Sequence, residues 1–274
     1  MSAPEAVIHP TATVHPQARL DGGVYVGPYC LVGPGVTLHN NVRLDSHIVL
    51  EGRVEVGAEC RFSPHSVIGS EPQDISYKGE ETGVEIGPEN IFREFVTIHR
   101  GTPKGGGLTR IGARNYFMAF AHAGHDCQIG SEVTLTHGVT LGGHVHVGDF
   151  VNIGGMCGVH QFCRIGRYAF IGGASTITQD VVPFSRVAGS RPAHFFGLNL
   201  VGLRRRGFAR ERLQTLKEIF NLLFSSQLNT SQAAERIKSE FPASEDREEI
   251  LQFIGSSKRG FVKKVSDQWD LESG

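Results

Sequence analysis

From Ile8 onward an apolar residue returns every six places: Val14, Leu20, Val26, Val32, Leu38, Leu44, Leu50, Val56, Phe62 and Ile68. Ile86, Phe92 and Ile98 keep the same phase. After a slip of one place the series resumes at Ile111 and runs on through Phe117, Ala123, Ile129 and further hexads to Ile177. Four places after each apolar residue stands a small or β-branched one, such as Ala12, Val24, Val36 or Val54, and glycine often follows directly, as at Gly27, Gly57, Gly148 and Gly166. Helices repeat every 3.6 residues and ordinary strands every two, so neither explains a period of six. A triangular β-solenoid does. Each hexad makes one flat side and one corner, three hexads close a coil, and residues 18 apart stack about 4.8 Å apart. The branched residue then points inward, and the glycine is expected to serve the corner by adopting positive φ.

Cys30, Cys60, Cys127, Cys157 and Cys163 all fall in the inward slot for a small residue. Five cysteines without CxxC spacing predict buried packing thiols, not a disulfide framework or a zinc knuckle. The repeat lapses at 70–85, where Asp74 and Glu80 take would-be core positions, and at 101–110, where the phase slips. Both segments are predicted to leave the prism as loops, and loops on a rigid scaffold commonly carry function. Beyond Pro183 the repeat stops. Leu213, Leu216, Ile219, Phe220, Leu223 and Phe224 are helically spaced, as are Ala233, Ala234, Ile237 and Phe241, then Ile250, Leu251 and Ile254. The expected organisation is a mainly β solenoid over 1–183, a linker over 184–195 and an α-helical domain over 196–274. That domain would cover the open sheet edge of the last coil, with Ser231 as a helix N-cap and Pro242 as a stop.

A net charge of -1 over 274 residues gives no reason to expect nucleic acid as a partner. The charge is unevenly spread. Residues 1–183 hold 12 Lys and Arg against 17 Asp and Glu, and 184–274 hold 15 against 11. A basic tail on an acidic body predicts an acidic partner docking near the C-terminus. The chain shows neither a signal peptide nor a run of about 18 apolar residues, so a cytoplasmic protein without integral membrane contact is expected.

Of thirteen histidines, twelve lie in the repeat region, and none occupies a core position or an inward slot. His125, His144 and His160 each fall within one residue of a single 18-residue column, and His122 is on the same coil as His125. Such a stack fits a general base with substrate-binding neighbours, or a metal site with imidazole ligands.

Several segments outside the hexads are distinctive: Ile8-His9-Pro10-Thr11-Ala12, Pro72-Gln73-Asp74, Val96-Thr97-Ile98-His99-Arg100-Gly101-Thr102 and Gly105-Gly106-Gly107-Leu108-Thr109. Further along stand Ala121-His122, His125-Asp126-Cys127, Gly143-His144-Val145, Gly154-Gly155-Met156, Val159-His160-Gln161-Phe162 and Arg205-Arg206-Gly207-Phe208. Through these stretches the chain resembles, over essentially its whole length, the UDP-N-acetylglucosamine 3-O-acyltransferases that begin lipid A synthesis. The resemblance implies a left-handed parallel β-helix, a homotrimer with sites in the grooves between subunits, and no cofactor or metal. It also implies transfer of a 3-hydroxyacyl chain from acyl carrier protein to the sugar 3-hydroxyl.

In that family His125 would be the general base, Asp126 its support, and the Gly143 N–H the oxyanion donor. Gln73, Asp74, His99, His122, His144, His160 and Gln161 would bind sugar and pyrophosphate. Asn199 and Arg205, in a basic run with Arg206, would reach the nucleotide. Gly173 would set acyl length, with Phe170 narrowing the same tunnel; a glycine there implies a chain of about 12–14 carbons. Two positions depart from the family: Ser76 replaces a lysine, for which Lys78 is the expected substitute, and Val201 replaces an acidic residue. The alternatives are a 3-amino sugar acceptor, a γ-class carbonic anhydrase-like metalloenzyme, a coenzyme A-dependent acetyltransferase, and a scaffold without catalysis.

Overall fold

A computed structural model describes residues 5–224 and 227–265. Short strands wind into coils, each pairing in parallel with the strand one coil later, so that three sheets of 11, 9 and 8 strands form the sides of a prism. Val7–Ile8 pairs with Tyr25–Val26, 18 places on. The two lapses have a simple cause. Phe62 pairs with Phe92, 30 places on, so twelve residues (two whole hexads) leave the prism and the phase survives. Phe92 pairs with Phe117, 25 places on, so the second detour is one hexad plus one residue, which is the slip.

Both detours are shorter than the repeat suggested. Strand structure continues to Ser70 and resumes at Gly83, which leaves 71–82 outside. The second detour lies between strands Thr97–His99 and Leu108–Ile111 and holds a 3-10 turn, Pro103–Gly105.

The hexad positions fill the core from Val26 onward, while Ile8, at the open N-terminal end, is 46% exposed. Phe62, Phe92 and Phe117 stack inside the prism at 4.6 and 4.9 Å between ring centroids, so bulky rings bridge the two coils from which the loops depart. All five cysteines are buried and unpaired.

The corners overturn one expectation. Gly27 and Gly148 do not supply positive φ; that falls to the residue two places later, Tyr29 and Phe150, at φ 58 and 61°. These glycines are needed because the next coil passes too close: a Cβ on Gly27 would lie 1.5 Å from the Asp45 carbonyl oxygen, and one on Gly148 2.6 Å from the Arg167 nitrogen. The left-handed residue tolerates its backbone because its N–H donates to the preceding coil, as Phe150 does to the Ser131 carbonyl at 2.9 Å.

The 184–195 segment is not a linker. It carries strand Ser185–Ala188 and the start of His194–Leu198, which extend the first sheet beyond Phe170–Ile171, the second of them antiparallel. The last coil's backbone groups are thereby paired instead of exposed. Four helices follow: α1 (Leu200–Arg205), α2 (Arg210–Phe224), α3 (Thr230–Glu240) and α4 (Glu245–Gly255). Asn229, not Ser231, caps α3, because its side chain accepts from the Gln232 N–H while Gln232 reaches back to the Asn229 N–H. The helices bury a second core around Leu216, Phe220 and Ile250. They dock on the solenoid through Arg167, which pairs with Glu245, Asp246 and Glu249 of α4. No described helix is long and apolar enough to cross a membrane.

Candidate active site

Adjacent residues on a strand point to opposite faces, so a paired His125 and Asp126 need a corner. Asp126 supplies it at φ 62°, and His144 and Phe162 repeat the conformation one and two coils on. The corner brings the two side chains together: His125 Nδ1–H donates to Asp126 Oδ2 at 2.7 Å. Asp126 is only 2% exposed. Its Oδ1 accepts from the Thr102 N–H at 2.8 Å and its Oδ2 from the Thr102 hydroxyl at 2.7 Å. Its own N–H donates to Thr109 Oγ1 at 2.8 Å, and the Thr109 hydroxyl donates to the His99 carbonyl at 2.7 Å. A buried carboxylate bonded to this many donors is fixed in orientation.

The second detour supplies these donors. A Cβ on Gly105 would lie 2.1 Å from Asp126 Cγ, so that glycine lets the turn close over the carboxylate. Thr102, Gly105 and Thr109 were not singled out by the repeat, because they lie where it breaks. The sequence signal for them is the glycine- and threonine-rich run between Gly101 and Thr109, which lies in the distinctive segments outside the hexads.

His125 lies over Gly143, where a Cβ would meet its Cε1 and Nε2 at 2.6 Å. Among the described residues, neither His125 Nε2 nor the Gly143 N–H has a hydrogen-bond partner in the protein. An unpartnered imidazole nitrogen and an unpartnered N–H thus belong to groups packed against each other on adjacent coils. His144 completes the cluster, its Nε2 3.6 Å from Asp126 Oδ2 and its ring edge-on to His125 at 5.0 Å. Burial holds the His144 imidazole below its ordinary pKa against the upward pull of Asp126. Burial pushes His122 down to about 4, with the charges of His99 and His125 adding to it. His122 is therefore neutral near pH 7, with its Nδ1 2.8 Å from Thr97 Oγ1 and its ring 5.3 Å from His99.

Of the residues expected to bind sugar and pyrophosphate, His144 adjoins His125, His122 is close enough to feel its charge, and His99 packs against His122. Asp74, on the first detour, is near enough for the charges of Lys104 and His125 to act on its carboxyl. Gln73 is exposed on that detour, and His160 and Gln161 are exposed at the corner one coil beyond Gly143. Lys78 is exposed on the first detour, and its backbone N–H donates to Glu80 Oε2 at 2.8 Å.

Asn199, Arg205 and Arg206 are not part of this cluster. They line a groove of about 750 Å³ with Glu132, Phe150 and Tyr168, along a different corner of the prism. Asn199 caps α1, accepting from the Gly202 N–H at 3.1 Å and donating to the Tyr168 carbonyl at 2.9 Å. Arg206 pairs with Glu132 and lies 4.6 Å over the Phe150 ring. Phe170 lines the same groove from its strand, while Gly173 is exposed at the corner that follows.

His125, Asp126 and His144 offer three ligand atoms within 4.8 Å of one another. The carboxylate oxygens, however, already accept from Thr102 and His125. An imidazole oriented by a carboxylate, with an N–H donor beside its free nitrogen, is built for proton transfer coupled to oxyanion formation. On a hexapeptide solenoid this defines an acyltransferase.

The comparisons with known proteins carry the assignment further. The family described as Udp N-acetylglucosamine O-acyltransferase, Domain 2, matches residues 180–262. An acyl-[acyl-carrier-protein]--UDP-N-acetylglucosamine O-acyltransferase of Syntrophobacter fumaroxidans is 48% identical over 93% of this chain and 99% of its own length. One from Thermodesulfovibrio yellowstonii is 46% identical over the same shares. The solved structure of the Acinetobacter baumannii protein, 41% identical, superposes with a TM-score of 0.91 over 93% of this chain and 99% of its own. The chain belongs to the acyl-[acyl-carrier-protein]--UDP-N-acetylglucosamine O-acyltransferase family. Its fold is the family's left-handed parallel β-helix with a C-terminal helical region. The relatives favour neither the carbonic anhydrase-like nor the 3-amino alternative.

Proposed function

We propose that this protein transfers a 3-hydroxyacyl group from acyl carrier protein to the 3-hydroxyl of UDP-N-acetylglucosamine, in the cytoplasm, as a step of lipid A synthesis. The observation that carries the reading is the His125–Asp126 pair with the open Gly143 N–H beside it. His125 Nε2 takes the proton of the sugar hydroxyl as its oxygen attacks the thioester carbonyl. The Gly143 N–H receives the negative charge of the tetrahedral intermediate, and Asp126 stabilises the imidazolium through Nδ1–H. Collapse breaks the C–S bond, and the imidazolium returns its proton to the departing thiolate, leaving an ester and a free thiol. Buried, unpaired cysteines agree with a reducing compartment.

The enzyme works as a homotrimer in this account. The catalytic cluster and the Asn199 groove follow different corners of one prism, the first marked by Asp126, His144 and Phe162 and the second by Glu132, Phe150 and Tyr168. A nucleotide sugar held by both is best accommodated between two copies, and a head-to-tail contact repeated three times closes a ring. Gly173 then borders the acyl groove, where a Cβ would meet the Gly155 oxygen at 3.3 Å and nitrogen at 3.7 Å, so a larger side chain enters once that backbone gives by a few tenths of an ångström.

Incubation with 3-hydroxyacyl carrier proteins and a panel of UDP-sugars, read by mass spectrometry, tests the reaction. An acylated UDP-N-acetylglucosamine carrying a hydroxylamine-labile ester is expected. An amide formed only on the 3-amino sugar would replace this reading.

A further inference from the structure

The turn that fixes Asp126 also carries a cation. Thr102 binds the carboxylate on one side of Lys104, and Gly105 is pressed against it on the other, so the Lys104 backbone is anchored to the catalytic pair. Its side chain is exposed and crosses to the first detour, where Nζ donates to Ser76 Oγ at 3.0 Å. The Ser76 N–H in turn donates to Asp74 Oδ1 at 2.8 Å. Asp74 is held below the ordinary carboxylate range first by its bonds to Ser76 and then by the charges of Lys104 and His125. The ammonium therefore stands at the mouth of the His125 site, between the two detours.

An ammonium has three donors. A single neutral hydroxyl leaves most of that capacity unused, and among the described residues no carboxylate lies within ion-pair distance of Lys104. A fixed stem with an unneutralised head beside the reacting groups suits an anionic ligand. Both substrates bring one: the sugar nucleotide its diphosphate, the carrier protein the phosphodiester of its prosthetic arm. We propose that Lys104 is a substrate-binding residue that contacts a phosphate oxygen at the mouth of the His125 site, bringing the two detours together over the bound substrate. The inference rests on the acyltransferase reading, and wild-type turnover checks that reading separately.

The bland reading is a staple between two loops, and two variants separate it from the proposal. Ser76→Ala removes the staple and keeps the cation; Lys104→Gln removes both. Lys104→Gln is expected to raise the KM of one substrate about tenfold with kcat nearly unchanged, because one charge-assisted hydrogen bond to phosphate is lost. The substrate whose KM rises identifies the phosphate. Lys104→Arg should restore most of the affinity, and Ser76→Ala should leave both KM values within about twofold of wild type, the range expected of an exposed neutral hydrogen bond. Unchanged KM values in Lys104→Gln, or equal losses in Lys104→Gln and Ser76→Ala, would overturn the proposal.

Discussion

Asp126 shows how much one residue is asked to do in this site. Its left-handed backbone costs a non-glycine residue on the order of 1–2 kcal/mol. The return is a carboxylate placed beside its own neighbour's imidazole, which no extended strand could achieve. That a corner was required could be read from the adjacency of His125 and Asp126, but the partners that hold Asp126 could not. Thr102 and Thr109 reach it from 24 and 17 residues away across a detour, where no period constrains position. Gly143 is the complementary case. Its role came from a family resemblance, and the geometry adds a second reason for glycine, since any Cβ collides with the base. Gly143→Ala keeps the backbone N–H but forces the His125 ring aside, so kcat is expected to fall by about 10²–10⁴-fold, the range for loss of a general base. The crystal structure of the variant should show the His125 ring displaced; an undisturbed ring with full activity would refute the arrangement.

At the scale of elements the hexads were legible because every side of the prism repeats the same burial. The glycines were legible in place but not in purpose. Periodicity marks a corner without saying whether it needs positive φ or close approach, and here different residues meet the two needs, Gly27 the approach and Tyr29 the φ. The 184–195 strands were missed because Ser185–Ala188 extends the first sheet after the hexads have ended, so only the sheet it joins reveals it. Acyl length belongs to this scale, since it depends on how many coils the chain crosses. Gly173 stands 48 residues beyond His125, and at about 4.8 Å per coil this corresponds to roughly ten carbons of extended chain. Wild type should prefer about 12–14 carbons and Gly173→Met about ten, an outward methionine blocking the groove past that point. Chain-length series with both proteins check this, and matching profiles would remove Gly173 as the ruler.

The whole molecule raises a question that no single chain answers. The base lies along one edge of the prism and Asn199, Arg205 and Arg206 along another, so the substrate is proposed to lie between copies. Mixing tests this. His125→Ala and Arg205→Ala trimers are each expected to be impaired, but chains refolded together should place an intact His125 opposite an intact Arg205 at about a quarter of the sites under random assembly. Recovered activity in the mixture, absent from either variant alone, is the expected outcome. No recovery would indicate that both edges serve within one chain.

The central claim is that His125 is the proton acceptor in acyl transfer, and the turnover of His125→Ala beside its melting temperature tests it most directly. The imidazole lies outside both apolar cores, on a corner held chiefly by Asp126 and the coil ladder. The account predicts a loss of about 10²–10⁴-fold in turnover from removal of a general base. It predicts a melting temperature close to that of wild type, because no core packing is lost. A variant that melts as wild type does and keeps more than about a tenth of its activity, well above what loss of a general base allows, would contradict it.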